Sequence, residues 1–417
     1  MSAVVIRPRL LRGTVTPPPS KSQAHRLIIC AALARGTSTI RNVAFSQDVE
    51  ATLRCMEVLG ASWERLGEGD IRVTGIGGMT PHGPSGEELP RFDCGESGST
   101  LRFLIPIALA VAGGGVFTGR GRLLERPQKP YFDMFEEKGI FYEQKEGVLT
   151  LRGRLEPGEF RLPGNVSSQF FTGLLFALPL LGGPSTVIPT TEIESWDYIL
   201  MTVDALTGAG MAAAELWAKR NAFSITPFAY TPFDRTVEAD WSQAGFWYAA
   251  RVLGNPVKAE GLNENSTQGD RVAAAYSARL AEPGDVDIDV SQCPDLVPPL
   301  AAMAAVRSGT TRIVNAARLR VKESDRLATV TAALNALGGR VEEQRDGLTI
   351  HGLESLEGGA AIDCCNDHRI AMMAAVAATR CEKPVTLLGA DCVKKSYPNF
   401  WEHYRMLGGD IDVLVSG

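Results

Sequence analysis

The sequence predicts a mixed α/β protein: six repeated helix-and-strand units divided three and three between two domains. Three observations predict it. A unit recurs: a small polar opening, an Ala/Leu-rich helix, a Gly-x-Thr turn into a β-branched strand, a second helix ending in Leu-Gly, and a closing strand. Helix and strand patterns alternate with Gly punctuation, which favours sheets covered by helices. A chain of 417 residues, 45% of them hydrophobic, is long enough for two substantial cores, and six units are too many for one.

Taken in order, a strand is expected over 4–15, able to pair with either half and cut off from the first unit by Pro17-Pro18-Pro19. The first unit opens at Ser20-Lys21-Ser22-Gln23 and passes through Ala31-Ala32-Leu33, Gly36-Thr37-Ser38-Thr39-Ile40 and Val58-Leu59-Gly60-Ala61. It closes on Ile71-Arg72-Val73-Thr74-Gly75. The second opens at Cys94-Gly95-Glu96-Ser97-Gly98-Ser99 and closes on Val148-Leu149-Thr150-Leu151-Arg152-Gly153. Further units open at Ser167-Ser168-Gln169, Asp240-Trp241-Ser242-Gln243, Cys293-Pro294-Asp295 and Asn366-Asp367-His368-Arg369. The fifth repeats the first most clearly, through Gly309-Thr310-Thr311-Arg312-Ile313, Ala336-Leu337-Gly338-Gly339 and Leu348-Thr349-Ile350-His351-Gly352. Thr226-Pro227-Phe228 and Thr231-Pro232-Phe233 break both periodicities. The expected domains are therefore 20–228, and 1–19 together with 229–417, with hinges near 17–20 and 227–238.

A formal net charge of -6 excludes a global basic field for nucleic acid, so anion binding must come from local clusters. The eight Cys form no CxxC pair and accompany no His-rich metal spacing, an inventory that fits a reduced, cytoplasmic protein. Residues 1–12 carry Arg but no apolar core and do not read as a signal peptide. The apolar runs 103–112 and 174–181 are too short to span a bilayer and read as buried helices.

Each polar opening stands at a helix start, where backbone N–H groups and the positive dipole end are on offer. Lys21 and Arg26 put two cations where positive charge is unfavourable, which points to a bound phosphate or carboxylate; Ser22 adds a hydroxyl. Gly95 to Thr100 suits close backbone approach or an ordinary turn. Arg120, Arg122 and Arg126 form an anion site or a solvated basic loop. Ser167, Ser168 and Gln169 offer three hydrogen-bonding groups where a cap needs one. Asp295 and Asp367 each suit an N-cap, but a cap does not explain Arg369. Lys394 and Lys395 fit an exposed basic turn. The densest stretch is Arg320-Val321-Lys322-Glu323-Ser324-Asp325-Arg326, in which five of seven residues are charged. Leu327, Val330, Leu334 and Leu337 follow at helical spacing, with Ser324 or Asp325 as N-cap. It reads either as a solvated helix start or as a carboxylate held among cations, an arrangement suited to acid–base work on phosphorylated substrates.

In this order, Ser20-Lys21-Ser22 with Arg26, Gly98-Ser99, Glu125-Arg126-Pro127, Ser167-Ser168-Gln169, the stretch from Arg320 to Arg326, Asp367-His368-Arg369 and Lys395-Ser396-Tyr397-Pro398 strongly resemble the 5-enolpyruvylshikimate-3-phosphate (EPSP) synthase family, the 3-phosphoshikimate 1-carboxyvinyltransferases. The resemblance covers nearly the whole chain. It implies an α/β fold of α+β type, with two similar domains, each of three βαβαββ units, that close like a clamp on a ligand cleft between them. It also implies a transferase of the shikimate pathway of aromatic amino acid biosynthesis. That enzyme moves the enolpyruvyl group of phosphoenolpyruvate to the 5-hydroxyl of shikimate 3-phosphate, by addition–elimination through a tetrahedral intermediate, with release of phosphate. A cytoplasmic monomer is implied, without metal or organic cofactor, without nucleic-acid or membrane partners, and inhibited by glyphosate in competition with phosphoenolpyruvate.

Carried over motif by motif, Lys21, Gly98, Arg122, Gln169, Arg326, Arg369 and Lys395 resemble the phosphoenolpyruvate contacts. Lys21, Ser22, Arg26, Ser167, Ser168, Gln169, Ser195, Tyr198, Asp295 and Lys322 resemble the shikimate 3-phosphate contacts. Asp295 and Glu323, with Lys21 assisting, resemble the acid–base groups. The chain departs from the family's usual residues in four places. Glu96-Ser97 stands for Asn-Ala, Phe103 for Pro, His25 for a common Asn, and Arg318 where some relatives carry Asn. Two other readings compete with this one. The related enolpyruvyl transferase acting on UDP-N-acetylglucosamine carries a Cys in the loop matching 113–130, where this chain has none. A non-catalytic anion-binding repeat protein would need neither Asp295 nor Glu323.

Overall fold

The computed structural model describes residues 3–77, 88–212, 216–219 and 222–414, with the side chains of 216–219 left aside. Two compact bodies divide the chain. The N-terminal body is Pro19–Glu238; the C-terminal body is Met1–Pro18 with Ala239–Gly417. The second crossing lies beyond Pro227 and Pro232 because Asp234–Thr236 belongs to the first body, where it pairs in parallel with Thr37–Arg41.

The N-terminal body repeats one sheet pattern three times. Asp234–Thr236, Thr37–Arg41, Ile71–Thr74 and Ser62–Arg65 form the first sheet. Arg91–Asp93, Gly114–Thr118, Val148–Arg152 and Phe141–Lys145 form the second. Glu159–Leu162, Ser185–Pro189, Ala222–Ile225 and Leu216–Lys219 form the third. In each, the first pair is parallel and the other two pairs are antiparallel. A parallel pair needs a crossover helix and the hairpin does not, so the pattern follows from the helix–strand order.

Its helices are α1 Lys21–Leu33, α2 Gln47–Val58, α3 Gly98–Ala112, α4 Lys129–Lys138, α5 Ser168–Ala177 and α6 Trp196–Gly208. α1, α3 and α5 are buried almost throughout, as helices apolar on every face must be. Pro106 inside α3 has no N–H for the carbonyl of Arg102, and the hydroxyl of Tyr131 donates to that oxygen instead, at 2.8 Å. Gly173 on α5 lets this junction close: a Cβ there would stand 2.3 Å from the Tyr131 hydroxyl and 2.4 Å from the Arg102 carbonyl. The start of α5 is thereby fixed against the start of α3.

The C-terminal body holds α7 Trp241–Val252, α8 Ala273–Ala281, α9 Val297–Ala305, α10 Arg326–Ala336, α11 His368–Ala377 and α12 Phe400–Met406. α9 and α11 are buried at every residue. Val286–Asp289, Thr310–Val314, Gly347–His351 and Arg340–Gln344 repeat the same sheet pattern. In the last sheet, Ala361–Asp363, Val385–Leu388, Ala3–Arg7 and Asp410–Leu414, the N-terminal strand takes the third place. The unit opening at Asp240 is reduced: among the described residues its sheet is the pair Gly13–Val15 and Val257–Ala259.

The single strand expected over 4–15 is two strands, Ala3–Arg7 and Gly13–Val15, both in the C-terminal body. Pro8 has no N–H to continue the ladder. The Leu11 N–H then donates to Asn255 Oδ1 at 2.8 Å, and Gly13, at a φ of 118°, turns the chain onto Val257. The apolar runs 103–112 and 174–181 lie in buried helical segments, and no helix among the described residues is long and apolar enough to cross a membrane.

Candidate functional site

In the C-terminal body, side chains from four helix starts converge. Asp295 lies in the 3-10 turn Pro294–Leu296 that leads into α9. It caps nothing there; its carboxylate faces cations. Lys322 Nζ donates to Oδ1 at 3.3 Å and Arg326 to the same oxygen at 2.9 Å, while Arg369 reaches Oδ2 at 3.3 Å and the Asp295 carbonyl at 2.9 Å. Burial alone would raise the carboxyl, but Arg369, Lys322 and Arg326 together hold it well below the usual carboxylate range.

Arg326, 1% exposed, is the hub. Besides Asp295 it donates to Glu323 at 2.5 Å and to Asp367 at 2.8 Å. Burial opposes its charge, and Asp367, Glu323 and Asp295 outweigh it, so the guanidinium is held more firmly protonated than usual. Burial lowers the Lys322 ammonium from its ordinary value, against the attraction of Asp295. The sequence left Ser324 or Asp325 open as the cap of α10; Asp325 is the cap, accepting from the Ala328 N–H at 3.2 Å. Ser324 donates instead to Asp367 at 3.0 Å. Asp367 caps α11, taking the Arg369 N–H at 3.0 Å. Lys395 is inward rather than part of an exposed turn: it is 4% exposed, and Nζ donates to the Asn366 carbonyl at 2.6 Å. Lys394 beside it is exposed.

In the N-terminal body the openings are capped by hydroxyls. Ser20, Ser97 and Ser167 accept from the N–H groups of Gln23, Thr100 and Gln169 at 3.4, 3.1 and 3.3 Å. Lys21 pairs with Asp48 at 2.8 Å. Arg26 turns inward and is 2% exposed. It donates to Thr202 Oγ1 at 2.9 Å, to the Ser22 carbonyl at 2.7 Å and to the Tyr198 carbonyl at 2.8 Å. Burial lowers its guanidinium to about 10.

Gln169 bridges α5 to α3. Its carbonyl accepts from Arg102 at 2.8 Å and its amide donates to Ser99 at 3.0 Å. Gly98 sits against this bridge, with room for little else: an added Cβ would stand 2.7 Å from an Arg126 nitrogen and 3.7 Å from Gln169 Oε1. Ser168 is buried at the first position of α5. Ser195, buried before α6, adopts a φ of 58°, which side-chain-bearing residues rarely hold. Arg122 is the most open of the expected contacts, 48% exposed, with Glu125 3.6 Å away.

Sequence reading missed several groups. Asp48 gives no motif signal, yet it partners Lys21. Arg102 and Arg126 crowd Gln169 and Gly98. Asp270, buried in the 3-10 turn Gly269–Val272, hydrogen-bonds Ser242, and Ser242 Oγ accepts from Arg369 at 2.8 Å. Burial pushes the Asp270 carboxyl up to about 6; Asp295 and Asp240 add to this, while Arg369 and Ser242 oppose it. Only the folded contacts reveal Asp48, Arg102 and Asp270; Arg126 already stood out in the basic loop, and the fold adds its place beside Gly98.

The chemistry on offer is the same in kind for both bodies: cations and hydrogen-bond donors at helix starts, suited to phosphates and carboxylates, with carboxylates among them able to move protons. The sequence profile described as EPSP synthase (3-phosphoshikimate 1-carboxyvinyltransferase) matches residues 6–404. The chain is similar to the 3-phosphoshikimate 1-carboxyvinyltransferase of Clostridium kluyveri, 44% identical with 99% of each chain covered. It is equally similar to that of Clostridium acetobutylicum, 44% identical with 99% of this chain and 98% of the relative covered. Its fold is similar to a solved EPSP synthase from Acinetobacter baumannii, with a TM-score of 0.79, 24% identity and 100% of each chain covered.

Proposed function

The chain belongs to the EPSP synthase family, and on that premise we propose how its residues divide the reaction among them. The reaction transfers the enolpyruvyl group of phosphoenolpyruvate to the 5-hydroxyl of shikimate 3-phosphate and releases phosphate. Its two substrates bring two phosphates and two carboxylates, and the proposed contacts answer each with charge or donors. Phosphoenolpyruvate is met by Lys21, Gly98, Arg122, Gln169, Arg326, Arg369 and Lys395. Shikimate 3-phosphate is met by Lys21, Ser22, Arg26, Ser167, Ser168, Gln169, Ser195, Tyr198, Asp295 and Lys322. Bidentate guanidinium groups suit the planar carboxylates.

Asp295 takes the proton of the 5-hydroxyl, with Lys21 assisting, and the freed oxygen attacks C2 of phosphoenolpyruvate. Glu323 delivers a proton to the methylene carbon, giving the tetrahedral adduct. Loss of a proton from the resulting methyl, with cleavage of the C2–O bond to phosphate, completes the transfer. The observation that carries this reading is the partnership of Asp295 with Arg326, Arg369 and Lys322. While they hold it, the carboxylate is a poor base. Substrate anions that draw the same cations away raise its basicity at the moment it is needed.

Phosphate release on mixing the two substrates tests the reaction, and UDP-N-acetylglucosamine in place of shikimate 3-phosphate should release none. If Asp295→Asn and Glu323→Gln both keep native turnover, the division of roles is wrong. We further propose that shikimate 3-phosphate, engaging groups of both bodies, draws them together. Small-angle scattering should then show a smaller radius of gyration with ligand than without. A monomer working in the cytoplasm fits eight free thiols; sedimentation should return the mass of one 44.8 kDa chain.

A further inference from the structure

His25 and Ser97 lie at opposite ends of one buried chain of hydrogen bonds. His25 Nδ1 is 2.7 Å from Thr52 Oγ1, Thr52 Oγ1 is 2.7 Å from Thr100 Oγ1, and Thr100 Oγ1 is 2.7 Å from Ser97 Oγ. All four residues are fully buried. The Asp48 carbonyl, 3.5 Å from both threonine hydroxyls, is at the edge of bonding range and competes weakly.

A hydroxyl has one proton to give, and that fixes the direction of the chain. Thr100 gives its proton to Ser97, so Thr52 gives its own to Thr100. Thr52 Oγ1 is then left to accept, and Nδ1 of His25 must carry the hydrogen. Nε2 is consequently bare, and it is buried without a partner. Keeping an orphaned ring nitrogen is costly, and the other end of the ring is where the compensation lies. The ring is also locked neutral: burial, then Lys21 and Arg26, hold its pKa well below 6.5, and the nearby Asp48 is engaged by Lys21.

The chain joins three helix starts. His25 is on α1 together with Lys21. Thr52 follows Asp48 by four residues on α2, so the two share a face. Ser97 caps α3 and adjoins Gly98. We infer that His25 is a positioning residue that, through Thr52, Thr100 and Ser97, sets the Gly98 turn against the Lys21–Asp48 pair. Its bearing on catalysis rests on the reading of Lys21 and Gly98 as phosphoenolpyruvate contacts; its structural part does not.

Nitrogen-15 spectra of the substrate-free native protein test the direction of the chain. From pH 6 to 8, His25 should show hydrogen on Nδ1, none on Nε2, and no titration. In His25→Leu the Gly98 amide resonance should move without substrate. KM for phosphoenolpyruvate should rise about tenfold with kcat within about threefold, and KM for shikimate 3-phosphate should hold. His25→Asn, which returns an amide donor, should restore KM. Hydrogen on Nε2 would overturn the proposal, as would an unmoved Gly98 amide in folded His25→Leu. A moved amide with unchanged KM would support the chain and overturn the assignment of Gly98 to phosphoenolpyruvate. The tautomer needs no variant, so it decides even where His25→Leu fails to fold.

Discussion

At the starts of α10 and α11, Arg326, Arg369 and Lys322 meet Asp295, Glu323 and Asp367; at the starts of α3 and α5, Ser97, Ser99, Thr100 and Gln169 meet one another and Arg102. The C-terminal body fixes its candidate groups with full charges under cover, the N-terminal body mostly with neutral hydrogen bonds. The two devices fail differently. Removing one member of a buried charge cluster strands another charge, at about 3–5 kcal/mol. Removing a hydroxyl strands a neutral group, at about 1–3 kcal/mol. The charged half should therefore govern the response to pH and to loss of a carboxylate. The neutral half should govern fit.

The largest effect should come from the carboxylates facing substrate. Asp295→Asn and Glu323→Gln are expected to lower turnover by about 10²–10⁴, far beyond any single hydroxyl deletion in the N-terminal body; steady-state rates decide. Next is stability. Asp367→Asn should cost about 3–5 kcal/mol in urea unfolding, and Thr100→Val about 1–3 kcal/mol. Equal costs would break the contrast between the halves. Third is fit. Gly98→Ala meets only the far end of the Arg126 side chain, so it should fold. It should raise KM for phosphoenolpyruvate about tenfold and the inhibition constant of glyphosate further, because the longer ligand has less room.

The smallest effect sharpens the comparison from the charged side. The Asp270 carboxyl is raised to about 6, above its unfolded value, so between those two values the folded state binds the extra proton. Stability then falls as pH rises toward 6, and the full penalty stands above it. Asp270→Asn should therefore stabilise by about 1–2 kcal/mol at pH 7.5, with the gain fading toward pH 4. A variant no more stable than native at pH 7.5 would count against a strained Asp270.

The repeating units were legible because a helix opening, a Gly-x-Thr turn and a Leu-Gly stop leave local marks. The caps at Asp325 and Asp367 were legible for the same reason. Pairing across distant chain was not. Nothing near Asp234 announces that it completes the sheet begun at Thr37, and nothing near Ala3 announces its place between Val385 and Asp410. Within the candidate site, Lys322, Glu323 and Arg326 stood out as a charged cluster in an apolar chain. Asp48, Arg102 and Asp270 did not, because a lone charge acquires meaning only from what folds against it.

The place of Ala3–Arg7 in the middle of its sheet has a consequence for how the protein is made. The strand pairs on one side with Val385–Leu388 and on the other with Asp410–Leu414, and Arg7 reaches Asp410 at 3.0 Å and Asp412 at 2.6 Å. On the ribosome it emerges long before either neighbour. At roughly 5–20 residues per second it waits on the order of 20–80 s for its partners. The N-terminal body waits less, since it is one continuous run of chain and its Thr37–Arg41 strand meets Asp234–Thr236 after roughly half that length of synthesis. Vectorial synthesis thus presents a finished first body while the opening strand stands bare on both edges. Arg7, Arg9 and Arg12 around Pro8 are what such an edge needs meanwhile: repulsion and a missing donor, both of which discourage pairing with the wrong strand.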